Sequence, residues 1–367
     1  MQTFLPHPDS REAALHLDRA SAGQAARRSI AGAARPDRAR LRVAPPSGRT
    51  VAHATRPPRG EQRLSLIHRQ AEGRPTVLTA VREQLGQALF RRVAGPDGPA
   101  TRARIHHTPG PRWFAPDRPI RTVHGDTSMF IGGLSALLLQ SLHPLAMAAV
   151  AGHSGYRGDP WGRLHRTSTF LAVTTYGTAA DAQRAVDHVR AIHEHIRGTT
   201  TEGVPYHAAD PHLLGWVHAA ETDSFLRAHQ RYGAQPLDGP AYDAYVADTA
   251  RVAEALGVLD PPRDREELAE RLTAYRPELR ATPEARAAAR FLLFQPPLPL
   301  AVRPFYGGLA ANAVVLLPLW ARGMLWLPRV PFVEDLAVRP TGQALTRTIR
   351  WAMSPQRPPR LGGASAE

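Results

Sequence analysis

The sequence of 367 residues contains no cysteine and no lysine, and Asn312 is its single asparagine. The lack of cysteine excludes disulfide bonds, zinc–thiolate sites, iron–sulfur clusters, thiolate-ligated haem and cysteine nucleophiles. The lack of lysine excludes Schiff-base catalysis and the phosphate-binding loop that depends on a lysine. Histidine, present 17 times, is the remaining side chain that serves both as a metal ligand and as a base near neutral pH.

Positive charge is abundant but unevenly distributed along the chain. The formal net charge is +14, and residues 1–60 alone hold eleven arginines and four acidic residues, which is half of the excess. The remainder is therefore only mildly basic, whereas nucleic-acid-binding domains concentrate basic residues on a folded surface. We expect no nucleic-acid partner.

The two ends of the chain have the composition of unfolded segments. Residues 1–73 contain two Pro-Pro pairs and few large apolar side chains, so they bury too little surface to offset the entropy of ordering. The first residues lack the basic and apolar regions of a signal peptide, and we expect a cytoplasmic protein. The sequence thus predicts a disordered tail over 1–73, a folded domain over 75–355 and a second disordered tail over 356–367.

Between these tails, signals for helix starts and ends are dense and strand alternation is lacking. Asp-Pro pairs at 159–160 and 210–211 each combine an N-cap with a proline in the first turn, and Thr178 with Asp181 forms a capping box. The predicted helices cover 76–95, 159–177, 178–198, 210–233, 242–256, 265–275, 283–294, 304–317 and 336–353. The sequence predicts an all-α protein with a single large helical domain.

The stretch Met129–Gly152 has 24 residues without a charged side chain, which is long enough to span a bilayer. Polar residues interrupt it, among them Gln140 and His143, and polar groups are costly in hydrocarbon. We therefore expect a helix buried in the protein core and no integral membrane insertion. Peripheral association with a membrane stays compatible with this pattern.

One histidine lies on an apolar helical stripe. Val186, Val189, His193 and Ile196 recur at three- and four-residue spacing, so His193 should face the core. Arg197, four residues further on, would lie beside it on the same helix. Such a histidine is usually a hydrogen-bonded core residue and less often a ligand. The neighbouring arginine weakens the first interpretation, because a second buried polar group also needs a partner.

Two neighbouring predicted helices carry further polar side chains on partly apolar stripes. The first stripe consists of Arg163, Thr167, Phe170 and Thr174, and the second of Leu214, His218, Glu221 and Phe225. Each has an ordinary structural explanation, namely a solvated arginine on the first stripe and a His218–Glu221 pair at i,i+3 spacing on the second.

As an ordered set, these motifs resemble the MpaB and latex-clearing-protein (rubber oxygenase) family of haem oxygenases. The resemblance covers roughly Val81 to Met353. The segments that carry it are GGLSALLLQSLHPLAMAAVAGHS (132–154), GRLHRT (162–167), VRAIHEHIRG (189–198), ADPHLLGWVHAAETDSFL (209–226), QPPLPL (295–300) and LLPLWAR (316–322).

The resemblance implies an all-α fold with a buried pocket for b-type haem and dioxygen as the co-substrate. It implies His193 as the ligand of the haem iron. Further cofactor-binding residues would be Arg197, His218, Arg322 and His143, and the catalytic residues would be Arg163 and Thr167. The distal lysine of latex clearing proteins has no counterpart, because the chain has no lysine.

Three functional hypotheses follow. The first is a haem b-dependent oxygenase acting on an apolar, unsaturated, isoprenoid-like small molecule. The second is a metal-dependent hydrolase or non-haem iron enzyme built from His193, His218 and Glu221. The third is a haem-binding protein without catalytic turnover. Metal and haem content separate the second from the others, and dioxygen consumption separates the first from the third.

Overall fold

Helices make up nearly all the secondary structure of residues 77–155 and 157–354, which are the residues described by the computed structural model. They are α1 (Val77–Ala94), α2 (Gly98–His107), α3 (Pro119–Gly125), α4 (Met129–Gln140), α5 (Pro144–His153), α6 (Pro160–Tyr176), α7 (Ala179–His195), α8 (Pro211–Tyr232), α9 (Gly239–Leu256), α10 (Arg265–Tyr275), α11 (Pro283–Phe294), α12 (Arg303–Leu316), α13 (Leu319–Met324), α14 (Pro331–Val333) and α15 (Arg339–Met353). The all-α prediction is confirmed. The predicted tails, 1–73 and 356–367, lie outside the described residues.

Side-chain caps set the helix starts that the sequence predicts. Asp159 accepts a hydrogen bond from the Gly162 amide at the start of α6, and Thr178 accepts one from the Asp181 amide at the start of α7. Asp210 caps α8 in the same way. Each cap satisfies an amide that has no partner within its own helix, so these three predicted starts are confirmed.

The predicted end of α7 at residue 198 is wrong, because the helix stops at His195. Ile196 adopts an extended conformation, and the next residues form strand β1 (Arg197–Thr199), which pairs antiparallel with β2 (Pro205–His207). The amide of Thr200 donates to the carbonyl of Val204 and closes this hairpin. Strands of three residues are too short to show alternation, so no sequence pattern predicted them.

The expected single helix over Met129–Gly152 is also wrong, since α4 and α5 meet at an angle of 108°. Pro144 opens α5 and His143, in an extended conformation, is its N-cap; a proline inside a continuous helix would clash with the preceding turn. Among the described residues, no lone helix combines the length and apolar character of a membrane span, although the bent α4–α5 pair does so by length and composition.

Helix α8 runs through the main hydrophobic core. Its Trp216 is fully buried and donates from Nε1 to the carbonyl of Gln140 in α4. Gly132 of α4 lies against Phe225 and Ala228, so the backbones of α4 and α8 approach closely. The described helices all belong to one compact unit, Gly73–Glu367. Side chains on the exposed side of this helix pair are therefore held on a rigid support.

We expect Glu334→Ala to lower the free energy of unfolding by about 3 kcal/mol, because it leaves the buried Arg322 guanidinium unpaired. Arg322 donates to both carboxylate oxygens of Glu334, at 2.6 and 3.2 Å, and Glu334 also accepts from the Val330 amide. Urea denaturation measures the change. The control is Asp335→Ala, which breaks the exposed pair with Arg339 and should cost under about 1 kcal/mol. Equal losses in the two variants would contradict a structural role for the buried pair.

Candidate functional site

His193 lies near the end of α7 on the stripe that begins with the fully buried Val186. The imidazole is half-buried, and its Nδ1 is buried without a hydrogen-bond partner among the described residues. Burial, and then the neighbouring His207, lower the pKa of His193 from its ordinary value. The ring is therefore neutral at physiological pH and has the free nitrogen lone pair that a metal ligand requires.

The structure does not place Arg197 beside His193 on a helical face. Arg197 lies in strand β1, is largely exposed, and donates from Nε to the carbonyl of Glu194. The prediction of a helical His193–Arg197 pair is wrong, because the chain becomes extended at Ile196.

The residue that the hairpin brings to His193 is His207 of β2, the strand partner of Arg197. Its Nε2 is also buried and lacks a hydrogen bond within the described chain, since Glu194 Oε2 is 3.6 Å away. No local sequence pattern indicated His207, because its position depends on a hairpin that the sequence did not predict.

The stripe on α6 passes from the surface into the core. Thr167 is exposed, Arg163 and Phe170 are half-buried, and Thr174 is buried with its hydroxyl donating to the Phe170 carbonyl. Arg163 donates from Nη1 to the Ser154 hydroxyl, 3.2 Å away, at the end of α5. Arg163 and Thr167 thus occupy the outer part of the stripe.

His218 and Glu221 on α8 do not form the predicted pair. Gln140 lies near Glu221 and donates from Nε2 to the Val217 carbonyl at 3.2 Å, and Nε2 of His218 is buried without a hydrogen bond to any described residue. Burial raises the pKa of Glu221 to about 7 and, together with the positive charge of Arg271, lowers that of His218 to about 4. Glu221 can therefore gain or lose a proton near neutral pH, a property common in catalytic carboxyl groups.

A second buried histidine accompanies Glu221. His124 of α3 contacts the Thr175 hydroxyl through Nδ1 at 2.9 Å and the Tyr245 hydroxyl through Nε2 at 3.4 Å, and burial lowers its pKa to about 3. Burial, and then the nearby carboxyl of Glu221, raise the pKa of Tyr245 well above its ordinary value. The sequence missed this cluster because its members come from α3, α6, α8 and α9, which no local pattern connects.

One position on α4, Gly133, has open space beside it. A Cβ atom built on Gly133 would meet no atom within 4 Å, although the adjacent Gly132 is tightly packed. His218 and Glu221 are both half-buried on α8. The neutral imidazole of His193, with its buried unpartnered nitrogen, is the kind of side chain that can serve as the one histidine ligand of a haem.

Two further predicted residues have other contacts. Arg322 is held in its ion pair with Glu334, and its predicted contact with a cofactor stays a prediction. His143 lies against His212 and Glu278, at the junction of α5, α8 and the turn after α10. In the described part of the chain, that trio is the single cluster of three or more His, Asp or Glu side chains close enough to share a metal ion. His193, His218 and Glu221 therefore do not form a metal-binding cluster.

A separate depression of about 490 Å³ lies along the outer side of α7. It is lined by His153, His188, Ala191, Ile192, His195 and Ile196, and does not include His193. Ile192 and Leu164 of α6 are exposed apolar side chains. The surface around α6 and α7 is thus partly apolar.

Two curated mycobacterial proteins match part of the chain. Both are described as uncharacterised, one from Mycobacterium bovis and one from Mycobacterium tuberculosis, and each is 36% identical over 100 residues. The match covers 27% of this chain and 38% of the length of each relative. No solved structure matches the chain significantly.

The family comparison covers most of the helical region. The sequence profile of the family described as "ER-bound oxygenase mpaB/B'/Rubber oxygenase, catalytic domain" matches residues 121–351. This range includes His193 on α7, the Arg163–Thr167 stripe on α6 and the buried carboxyl of Glu221 on α8. The chain therefore belongs to the family of MpaB and rubber oxygenase catalytic domains.

Proposed function

We propose that this protein is a haem b-dependent oxygenase that uses dioxygen to cleave a carbon–carbon double bond in an apolar, isoprenoid-like substrate. The observation that carries the proposal is the buried, unpartnered Nδ1 of His193 on an apolar helical stripe. Family membership supports the oxygenase activity. The choice of haem rests on the resemblance together with the chemistry of this imidazole.

In this proposal His193 holds the haem, which when bound supplies an iron centre that activates dioxygen. Arg163 and Thr167 orient either the dioxygen or a haem propionate, because a guanidinium offers paired donors in a rigid plane. In the overall reaction, one double bond is broken and two carbonyl groups form. Each product receives one oxygen atom of the same dioxygen molecule, so the reaction consumes no external reductant.

Glu221 has the role of proton carrier. Its pKa of about 7 allows the carboxyl group to hold a proton in one step and release it in another at neutral pH. The nearby Gln140 side chain partly offsets the effect of burial on the pKa of this carboxyl, and the neutral His218 lies one helical turn away.

We expect Arg163→Lys and Thr167→Val to fold normally and to change the rate of carbon monoxide binding to the reduced protein several-fold. Lysine keeps the charge of Arg163 but loses the paired hydrogen-bond geometry, and valine removes the hydroxyl of Thr167. Flash photolysis measures the rate without knowledge of the substrate. The control is Arg184→Lys, on the exposed side of α7. Unchanged rates in both variants would remove these residues from the ligand-binding site.

Dioxygen uptake with a panel of terpenoid and polyisoprenoid alkenes tests the activity itself. The proposal predicts dioxygen uptake that depends on the alkene. With ¹⁸O-labelled dioxygen, each of the two aldehyde or ketone products should carry one labelled oxygen atom. A haem-loaded protein that consumes no dioxygen with any alkene would instead be a haem carrier or sensor.

A further inference from the structure

Three side chains from separate elements converge at the start of α5. His143 is the N-cap of α5, His212 lies in the first turn of α8, and Glu278 ends the turn that follows α10. Oε2 of Glu278 is 2.8 Å from Nε2 of His212 and 3.4 Å from Nε2 of His143, and one candidate ligand atom from each residue lies within 4.8 Å of the other two. We infer that His143, His212 and Glu278 form a binding site for a divalent cation of the zinc class, separate from the proposed haem ligand.

The buried imidazole of His143 is a second, independent observation that supports a cation site here. Its side chain is only 3% exposed, yet neither ring nitrogen has a hydrogen-bond partner among the described residues. The contact with Glu278 is close enough for an ion pair but does not meet hydrogen-bond geometry. A buried imidazole normally satisfies at least one nitrogen, because a lost hydrogen bond to water costs free energy. A cation bound at Nε2 removes this deficit.

The surroundings hold the three ligands in place. Tyr275 donates its hydroxyl to the backbone carbonyl of His212, at 2.8 Å, and its ring packs against the rings of both histidines. The amide of Arg280 donates to the carbonyl of Leu142, which ties the segment after Glu278 to the residue before His143. The site is therefore assembled by backbone contacts and aromatic packing, and needs only small side-chain rotations to close on an ion.

The ligand set selects the kind of ion. Two imidazoles and one carboxylate suit zinc and also ferrous iron, whereas magnesium and calcium prefer oxygen ligands alone. Ligand distances of about 2.0–2.2 Å in a tetrahedron place neighbouring ligand atoms roughly 3.3–3.6 Å apart. Glu278 Oε2 lies 2.8 and 3.4 Å from the two histidine nitrogens, and the ligand atoms all lie within 4.8 Å of one another. His212 and Glu278 are about half exposed, so the fourth position would face solvent and be filled by water.

Zinc binding by the full-length purified protein tests the inference. After treatment with a chelator and dialysis against zinc chloride, plasma mass spectrometry should find about one zinc per chain, counted separately from haem iron. Zinc should also raise the thermal unfolding midpoint. His212→Ala and Glu278→Gln should each weaken zinc binding at least about 10-fold and abolish this rise. Both change partly exposed side chains, so the fold should survive.

His107→Ala is the control, since it removes an exposed imidazole from α2. It should bind zinc as the wild type does, and millimolar magnesium should not compete. Absence of retained zinc in the wild type, or unchanged binding in both His212→Ala and Glu278→Gln, would overturn the inference. The haem absorption band is read in the same samples, so a failure of this site is distinguishable from a failure of the proposed oxygenase.

Discussion

His193→Ala is expected to reduce the haem content of the purified protein to about one tenth or less of the wild-type value, because it removes the proposed iron ligand. The imidazole of His193 is half-buried and neutral, and its Nδ1 has no other partner among the described residues. Haem content is measured by the pyridine haemochrome method. The far-ultraviolet circular dichroism spectrum should stay helical, because the rest of α7 is unchanged.

His195→Ala is the matched control for this prediction. His195 lies two residues further on, about 160° around the helix axis. It is exposed, and its Nδ1 contacts the Ala191 carbonyl at 2.7 Å. We expect this variant to retain its haem. Loss of haem from His195→Ala with retention in His193→Ala would show that the ligand is assigned to the wrong side of α7.

His207→Ala tests whether the haem ligand lies on helix α7 or in the β1–β2 hairpin. His207 lies next to His193 and also has a buried nitrogen without a hydrogen bond to any described residue. We assign the iron to His193, so His207→Ala should keep most of its haem. The opposite outcome, with haem lost only when His207 is replaced, would move the ligand from α7 to β2.

Glu221→Gln is expected to remove a large part of the pH dependence of stability. Burial raises the pKa of Glu221 from 4.5 to about 7 in the folded protein, so the folded state binds more protons than the unfolded state between these values. Stability from this group is complete below pH 4.5 and is lost as the pH rises through 7. At 1.36 kcal/mol per pH unit, the wild type should lose roughly 2–3 kcal/mol between pH 5 and pH 8 that the glutamine variant does not lose.

Urea denaturation of both proteins at pH 5 and pH 8 measures this difference. Comparing the two proteins cancels the contributions of groups distant from Glu221. The neighbouring His218 has a lowered pKa, which acts in the opposite direction. Glu270→Gln is the control, since Glu270 is an exposed residue of α10 and should leave the pH dependence unchanged. Equal pH dependence in the wild type and Glu221→Gln would mean that Glu221 titrates as an ordinary solvated carboxyl group.

Local signals predicted much of the fold. Capping residues and proline positions depend on a few neighbouring residues, so the starts of α6, α7 and α8 followed from Asp159, Thr178 and Asp210. The apolar stripe of α7 likewise identified His193 as a residue that faces inward.

The structural features that were not predicted from the sequence depend on tertiary contacts. The β1–β2 hairpin ends α7 early and moves Arg197 to the surface, where His207 takes its place beside His193. Pro144 breaks the apolar stretch, but a continuous run of apolar residues does not itself indicate where a buried helix bends. Glu334 shows the same dependence, because its pairing with Arg322 connects two short helical segments.

The buried polar cluster could not be predicted from the sequence, because its members meet only in the folded protein. His124, Glu221 and Tyr245 lie on three helices far apart in sequence, and their shifted pKa values arise from burial that only the folded protein creates. His143, His212 and Glu278 likewise come from separate elements and meet only in the folded protein. Sequence periodicity shows which face of a helix is buried, but it does not show which other helix that face meets.

The haem content of the wild-type protein tests the central claim most directly. The protein should be produced in cells supplied with a haem precursor, purified, and analysed by absorption spectroscopy, the pyridine haemochrome method and iron analysis. We predict about one haem b and one iron per chain, the stoichiometry that a single histidine ligand gives. A folded protein with less than about one tenth of a haem per chain, or with iron but no haem absorption band, would contradict the assignment of His193 as a haem ligand.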